Sequence, residues 1–179
     1  MKIETFTLND LTDEFMSWFS DQKLMKYFTE SKNKITKEEI ISSFLNDATK
    51  KPDQYLYKVV YEGEMVGTIK IIVNKVHNIG DVAVLIGNKK YHLKGLGIEA
   101  IKLGSDYALN VLGVRKLFGQ IYESNLGSLR AYTKAGWKEC GRLKDYYLIN
   151  GMPEDKILIS YEDAKFQETK KKMSFNLAY

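Results

Sequence analysis

The chain has 179 residues, of which 44% are hydrophobic and 28% charged, and it carries a net charge of +4. This length suffices for one domain with a full hydrophobic core. No apolar run reaches the roughly 20 residues of a membrane-spanning helix, and the N-terminal segment has no signal-peptide core. The single cysteine, Cys140, excludes an intrachain disulfide, and the two histidines form no metal-site spacing with it. We therefore expect a cytoplasmic protein with no bound metal and no membrane partner.

Much of the positive charge lies near the C-terminus, where four lysines fall within residues 165–172. A nucleic-acid-binding surface normally accompanies a recognisable binding fold, and no such motif occurs here. We interpret residues 1–161 as one domain and residues 162–179 as a solvated basic tail. No nucleic-acid partner is expected.

The first third of the chain predicts one strand and two helices. Alternation over residues 2–8 indicates a strand, and apolar residues at helical spacing follow a cap at Asn9 or Asp10. A second helix opens at Thr36, which forms a capping-box pattern with Glu39.

The remaining sequence alternates strands with helices and is flanked by hairpins. The two hairpin turns are predicted at Glu62-Gly63 and Asn150-Gly151, and two helices are predicted after Gly95 and Asn125. The element order is β, α, α, β, β, β, α, β, α, β, β. This order predicts an α+β fold in which a mixed sheet is covered by helices.

The stretch "KYHLKGLGIEAIK", residues 90–102, places lysines and two glycines where a helix begins. The unpaired N–H groups and positive dipole end of a helix start favour an anion such as phosphate. A plain turn whose glycines only supply positive φ is the simplest alternative. A Walker A loop is excluded because no Gly-Lys-Ser/Thr follows.

A dinucleotide-binding loop is the second alternative. Gly95, Gly97 and Ala100 fit G-x-G-x-x-A, and Glu123 ends the next strand, where a ribose-binding acid is expected. However, eight residues separate Ile86 from the first glycine, whereas such loops turn directly off the strand. About ninety residues also precede this unit, which usually opens its domain.

The stretch from His92 to Gly97 resembles the acetyl-CoA pyrophosphate loop of the GNAT superfamily of N-acetyltransferases. That loop has the form Arg/Gln-x-x-Gly-x-Gly/Ala, and His92 stands here in place of Arg or Gln. About thirty residues later, the pattern Asn-x-x-Ser-x-x-x-Tyr-x-x-x-Gly-Phe is met up to its last position, where Trp137 replaces Phe. Two motifs in this order are far more specific than either one alone.

The resemblance covers residues 3–161 and implies the fold and the reaction. It implies a GNAT-like acyl-CoA N-acyltransferase fold with about seven strands and about four helices. It also implies transfer of an acetyl group from acetyl-CoA to a primary amine. The N-terminal and C-terminal segments look similar to the branch that includes ribosomal-protein N-terminal and bacterial amino-sugar acetyltransferases.

The resemblance also implies roles for individual residues. Tyr132 would protonate the departing thiolate, Asn125 would bond the pantetheine arm or a water, and the strands on either side of the helix after Gly95 would splay apart around that arm. Glu123 and Asp81, which stand at strand ends in the sequence, are candidate general bases, and loss of the amine proton to water is the alternative. The cofactor-binding residues implied are Leu85, Ile86, His92, Leu93, Lys94, Gly95, Leu96, Gly97, Ile98, Asn125, Ser128 and Tyr132. The acceptor pocket is expected to include Trp18, Tyr27, Phe28 and Tyr146, whose aromatic side chains suit a sugar or a base.

A nucleotide-linked amino sugar is our first expectation for the acceptor, followed by the α-amine of a protein N-terminus and then polyamines. A dinucleotide-dependent oxidoreductase and a non-catalytic acyl-CoA-binding module stay open as functions of other classes. The sequence leaves the oligomeric state undecided, with a homodimer among the options.

Overall fold

The computed structural model describes residues 1–27, 36, 38, 39, 41, 42 and 53–162. Phe28, most of the helix predicted from Thr36, and the tail after Glu162 lie outside this part of the chain. The predicted capping box itself is present, because the Glu39 N–H donates to Thr36 Oγ1 at 3.2 Å and the Thr36 N–H donates to Glu39 Oε2 at 2.8 Å. Within the described residues, no helix is both long enough and apolar enough to cross a membrane.

A seven-stranded mixed sheet forms the centre of the protein, in the order β1-β2-β3-β4-β5-β7-β6. All neighbouring strands are antiparallel except β4 and β5, which are parallel. The strands are β1 (Lys2–Thr5), β2 (Gln54–Tyr61), β3 (Glu64–Asn74), β4 (Ile79–Ile86), β5 (Lys116–Tyr122), β6 (Lys138–Ile149) and β7 (Met152–Glu162). The sheet confirms the predicted mixed α+β architecture.

Four α-helices with described bounds accompany the sheet: α1 (Asp13–Ser20), α2 (Gln22–Met25), α3 (Leu96–Asn110) and α4 (Leu126–Lys134). The predicted N-cap of the first helix was wrong. Thr12 is the cap and accepts from the Phe15 N–H, while Asp10 ends a short 3-10 turn. The Asp10 carboxylate is bound by the Thr7 N–H and by Lys58, so it is not available to cap a helix.

Both predicted hairpin turns are confirmed. Glu62 and Gly63 have φ of 51° and 82°, and Asn150 and Gly151 have φ of 52° and 79°. Two successive residues with positive φ are the geometry of type I′ turns, which match the twist of the strands they join.

The two faces of the sheet carry separate hydrophobic clusters. On one face, α3 packs so closely that a Cβ on Gly104 would lie 2.9 Å from Val82 Cγ1. On the opposite face, Phe6, Phe15, Trp18 and Leu85 form a second cluster beneath α1. Since side chains alternate along a strand, even-numbered residues of β4 face α3 and odd-numbered ones face α1.

Candidate active site

The two parallel strands separate soon after they begin to pair. β4 and β5 are in register only at Ile79↔Lys116 and Gly80↔Leu117, although both strands continue for five or six residues beyond. β4 stays paired with β3 and β5 stays paired with β7 along their whole lengths, so the edges that the two strands turn toward each other are both left open. The result is a wedge-shaped opening, called here the β4–β5 gap, that widens toward the start of α3.

Tyr132 of α4 fills the narrow end of this gap. Its phenol donates to the Val82 carbonyl at 2.5 Å, and a main-chain hydrogen bond from Val84 also reaches the phenol. Tyr132 is 8% exposed, and its ring meets Trp137 edge-on. Burial, followed by the nearby charge of Asp81, raises its pKa, so the phenol is protonated at neutral pH.

Further along the open edge, the main-chain groups that face the gap belong to Val84 and Ile86. The Leu85 carbonyl lies over Gly67 of β3, where an added Cβ would be 2.2 Å away. Main-chain groups alternate sides along a strand, so those of Val84 and Ile86 are turned toward β5. Of the two residues that the sequence suggested as main-chain partners of the cofactor, Ile86 therefore faces the gap and Leu85 faces β3.

The glycine turn follows β4 and presents a row of main-chain donors. Leu93 and Gly95 both adopt left-handed backbone, with φ of 61° and 82°. Within the described part of the chain, no hydrogen bond engages the N–H groups from Leu93 to Gly97, whereas the Ile98 N–H bonds Gly95. Successive free N–H groups at a helix start form a concave anion site.

Three lysines surround this turn, but two of them are already paired. Lys89 bonds Asp21 at 2.6 Å, and Lys90 bonds Glu64 at 3.1 Å. Lys94 has no carboxylate partner among the described residues, and its ammonium lies 5.1 Å from the centre of the Tyr91 ring. Lys94 is thus the cation available to an anion in the turn.

His92, which departs from the family motif, fastens the turn to the end of β4. Its Nε2 donates to the Ile86 carbonyl at 2.8 Å. This hydrogen bond therefore holds the start of the glycine turn against the end of β4. Its predicted contact with the cofactor stays a prediction.

Asn125 and Ser128 hold the start of α4. The Asn125 side chain accepts from the Ser128 N–H at 3.2 Å, which makes Asn125 the N-cap. This cap defines the start of α4, and Tyr132 lies about two turns further along the helix. Whether Asn125 also contacts pantetheine stays a prediction.

Asp81 carries a carboxyl group near the narrow end of the β4–β5 gap, on the face of the sheet opposite α3. It is half-buried and has no hydrogen-bond or ion-pair partner among the described residues. Its loss of solvent raises its pKa from 3.8 to about 6. It is also close enough for its charge to raise the pKa of Tyr132. A carboxyl with this pKa is well suited to accept a proton near neutral pH.

Glu123, the other candidate base, is held by an ion pair. Its carboxylate bonds Arg142, which also bonds Asp155 at 3.1 Å, and Lys144 bonds Asp155 at 2.7 Å. These cations lower the pKa of Asp155 to about 2. The Glu123 carboxylate is thus occupied by a guanidinium, whereas Asp81 has no partner among the described residues.

Tyrosines gather at the end of β5 and are called here the tyrosine cluster: Tyr27, Tyr122, Tyr146 and Tyr147. Tyr122 stacks on Tyr147 with ring centres 3.8 Å apart, and Tyr27 lies 5.6 Å from Tyr122. The Tyr27 hydroxyl also donates to the Ser124 carbonyl at 3.0 Å. The predicted acceptor residues Tyr27 and Tyr146 are thus brought into one cluster.

Trp18 lies apart from the tyrosine cluster. It is 5% exposed and packs against Gly87, where an added Cβ would come within 1.9 Å of the indole ring. Its contacts place it in the hydrophobic cluster under α1, where it positions the end of β4. The sequence signal for Trp18, an aromatic residue at helical spacing, is shared by core and pocket residues alike.

Three contributors were missed by sequence reasoning: Val84, Tyr122 and Lys156. Had the bounds of β5 been known, the alternation of side chains along the strand would have placed Tyr122 on the face of the sheet opposite Trp137. Lys156 is 9% exposed, and its ammonium lies 4.0 Å from the centre of the Tyr146 ring. No local pattern marks a buried lysine in a strand.

Residues 1–138 match the family model of the acetyltransferase (GNAT) domain, and the chain belongs to this family. A segment of 96 residues is 31% identical to the spermidine N(1)-acetyltransferase of Escherichia coli K12, covering 53% of this chain and 51% of that protein. A probable N-acetyltransferase of Bacillus subtilis, YjcK, is 35% identical over 68 residues, or 38% of each chain. The chain thus spans about half the length, or less, of these curated relatives.

The fold extends the similarity to nearly the whole chain. The crystal structure of the Vibrio cholerae spermidine N-acetyltransferase in complex with CoA and spermine superposes with a TM-score of 0.82. The superposition covers 93% of this chain and 97% of that one, at 18% sequence identity. At this identity the likeness establishes the GNAT fold, as the sequence resemblance implied.

Proposed function

We propose that the protein transfers the acetyl group of acetyl-CoA to a primary amine of a small molecule. The observation that carries this proposal is the β4–β5 gap, with a buried phenol at its narrow end and free main-chain donors at its wide end. Membership of the GNAT family supports the same reaction.

The glycine turn would bind the cofactor through its pyrophosphate. The N–H groups from Leu93 to Gly97 supply the main-chain donors, and Lys94 supplies a positive charge. The Val84 N–H is engaged by Tyr132 and the Ile86 carbonyl by His92, so the Val84 carbonyl would pair with the pantetheine arm, and the Ile86 N–H is our candidate donor to the thioester oxygen.

The reaction balances with Asp81 and Tyr132 as the proton-transfer groups. The neutral amine attacks the thioester carbonyl, and its surplus proton passes to the Asp81 carboxylate. The carbon–sulfur bond then breaks, and the thiolate takes the phenol proton of Tyr132. The amide and free CoA leave, and the proton on Asp81 restores the phenol through solvent.

Two classes of acceptor have separate support. A polyamine is favoured by the activity that the names of the E. coli and V. cholerae relatives print. A nucleotide-linked amino sugar, our first expectation from the sequence, is favoured by the exposed face of the tyrosine cluster. Tyr146 is 55% exposed, and aromatic faces stack well on sugar rings and bases.

A thiol-release assay with acetyl-CoA and an amine panel tests the proposal. Thermal-shift measurements with acetyl-CoA and with NAD run beside it, because a specific ligand raises the melting temperature. We expect acetyl-CoA to raise the melting temperature and NAD to leave it unchanged, and we expect thiol release with at least one amine. Stabilisation by NAD alone would support the dinucleotide alternative, and binding without turnover would support the non-catalytic module.

A further inference from the structure

We propose that Lys156 recognises a negatively charged group on the acceptor, so that the preferred substrate is an amine that also carries a phosphate or a carboxylate. This inference rests on the proposed acetyltransferase activity and names the acceptor class. It starts from a buried ammonium in the tyrosine cluster.

Lys156 lies on the acceptor side of the sheet, one strand away from the gap. It is the cross-strand partner of Tyr122 in the β5–β7 pair, and directly opposed residues share a face. On β5, Gly119 faces Trp137 and the helix α4, so Tyr122 faces the other side by alternation. That other side is also the face of Asp81.

The ammonium of Lys156 contacts aromatic rings, and no anion in the described part of the chain pairs with it. It lies 4.0 Å from the centre of the Tyr146 ring and 5.4 Å from that of Tyr147. Among the residues that the structure describes, no carboxylate and no hydrogen-bond acceptor engages it. Cation–π contacts compensate only part of the cost of removing an ammonium from water.

The carboxylates nearest in sequence are engaged elsewhere. Glu154 accepts from the Ser124 N–H at 2.6 Å and from its hydroxyl at 3.0 Å. Asp155 is bound by Arg142, by Lys144 and by the Asp145 N–H. Among the described residues, the charge of Lys156 is therefore left without an anionic partner, so that it can receive an incoming group.

A cationic acceptor would be at a disadvantage in the same place. The aromatic faces that could hold a second ammonium of a polyamine already hold Lys156, and two like charges repel across such a short distance. An anionic acceptor instead completes a charge-assisted hydrogen bond. The tyrosine faces and the lysine together fit a ring-shaped amine with an acidic substituent.

Matched amines test this directly in the thiol-release assay. The pairs are glucosamine with glucosamine 6-phosphate, and butylamine with 4-aminobutyrate; spermidine serves as the polycation. We expect the anionic member to have a kcat/KM about ten- to a hundredfold higher, the range of one charge-assisted hydrogen bond. The first pair reports a phosphate preference and the second a carboxylate preference.

Lys156→Met should abolish the preference by raising KM for the anionic amine far more than KM for its neutral partner. Lys156→Arg should retain it. Lys138→Met is the matched control, because Lys138 is an exposed lysine of β6 in the same hairpin, and it should behave like the wild type. If Lys156→Met does not fold, the wild-type series and Lys156→Arg decide.

The inference is overturned if the wild type has the same kcat/KM for neutral amines, or for spermidine, as for anionic amines. It is also overturned if Lys156→Met slows neutral and anionic acceptors equally, which is the signature of a structural role. If none of the amines tested causes thiol release, the result would instead contradict the proposed function.

Discussion

Asp81→Asn removes a carboxyl group that burial holds partly protonated, and it should stabilise the protein while impairing the reaction. The folded-state pKa is about 6, against an ordinary value of 3.8. Between these two values the folded state binds a proton that the unfolded chain has already lost. Stability contributed by this group is therefore lost as pH rises from 3.8 to 6, and the loss is constant above 6.

The magnitude follows from the pKa difference. At about 1.4 kcal/mol per pH unit, the ionised carboxylate costs the folded state about 3 kcal/mol at pH 7. An uncharged asparagine of nearly the same shape avoids this cost. For a chain of this length, the melting temperature should rise by roughly 6–12 °C at pH 7. At pH 5 the gain should fall to about half.

Chemical denaturation at pH 5 and pH 7 measures the stability, and thiol release measures the activity. Asp106→Asn is the control, because Asp106 is exposed on α3, and neither quantity should change. In the wild type, the pH–rate profile should rise through about 6, and Asp81→Asn should lose about 10²–10⁴-fold in turnover if Asp81 is the general base. A gain in stability without loss of activity would remove Asp81 from the reaction, and a destabilised variant would refute the account of its burial.

Three further substitutions test other parts of the site. Gly97→Val should abolish acetyl-CoA binding in titration calorimetry with little change in melting temperature, since an added Cβ comes no closer than 3.8 Å to Ile86; unimpaired binding would contradict the assignment of the turn. Tyr132→Phe should lower kcat about 10²-fold or more with little change in acetyl-CoA affinity. It should also lower the unfolding free energy by about 1–3 kcal/mol, because the Val82 carbonyl loses its donor. Unchanged turnover would exclude the phenol as the acid. Gly87→Ala should destabilise the protein by about 1–3 kcal/mol through its clash with Trp18. Adding Trp18→Leu should recover part of that loss. If the two substitutions instead lower the unfolding free energy additively, the clash between residue 87 and Trp18 is not the cause of the loss.

The order of the strands and both hairpins were predictable because their signals are local. Asn-Gly and Glu-Gly turns need only two residues with positive φ, and the strand–helix–strand unit of β4, α3 and β5 follows from periodicity. The family motifs located the glycine turn and Tyr132 for the same reason. The wrong N-cap at Asn9 or Asp10 shows the limit, since the competing partner of Asp10 is Lys58, 48 residues away.

Properties that depend on the distance between strands were not accessible from local sequence patterns. The family resemblance implies that β4 and β5 splay apart, but nothing local shows that they part after two residue pairs, that Asp81 has no partner among the described residues, or that Arg142 bonds Glu123. Aromatic residues of α1 and α2 were equally ambiguous. Trp18 became a core residue and Tyr27 joined the tyrosine cluster only because α1 covers the end of β4 and the Tyr27 hydroxyl reaches Ser124.

Strand parity explains how one gap can serve both partners of the reaction. Main-chain groups of β4 point into the gap, while its side chains alternate between the two faces of the sheet. Tyr132, the acid that we propose, enters from the face of α3 and α4, whereas Asp81, the tyrosine cluster and Lys156 share the opposite face. Substitutions on the acceptor face can therefore change the preferred amine without displacing the phenol or the glycine turn. Such a division predicts that Lys156 variants change acceptor KM and leave acetyl-CoA affinity intact.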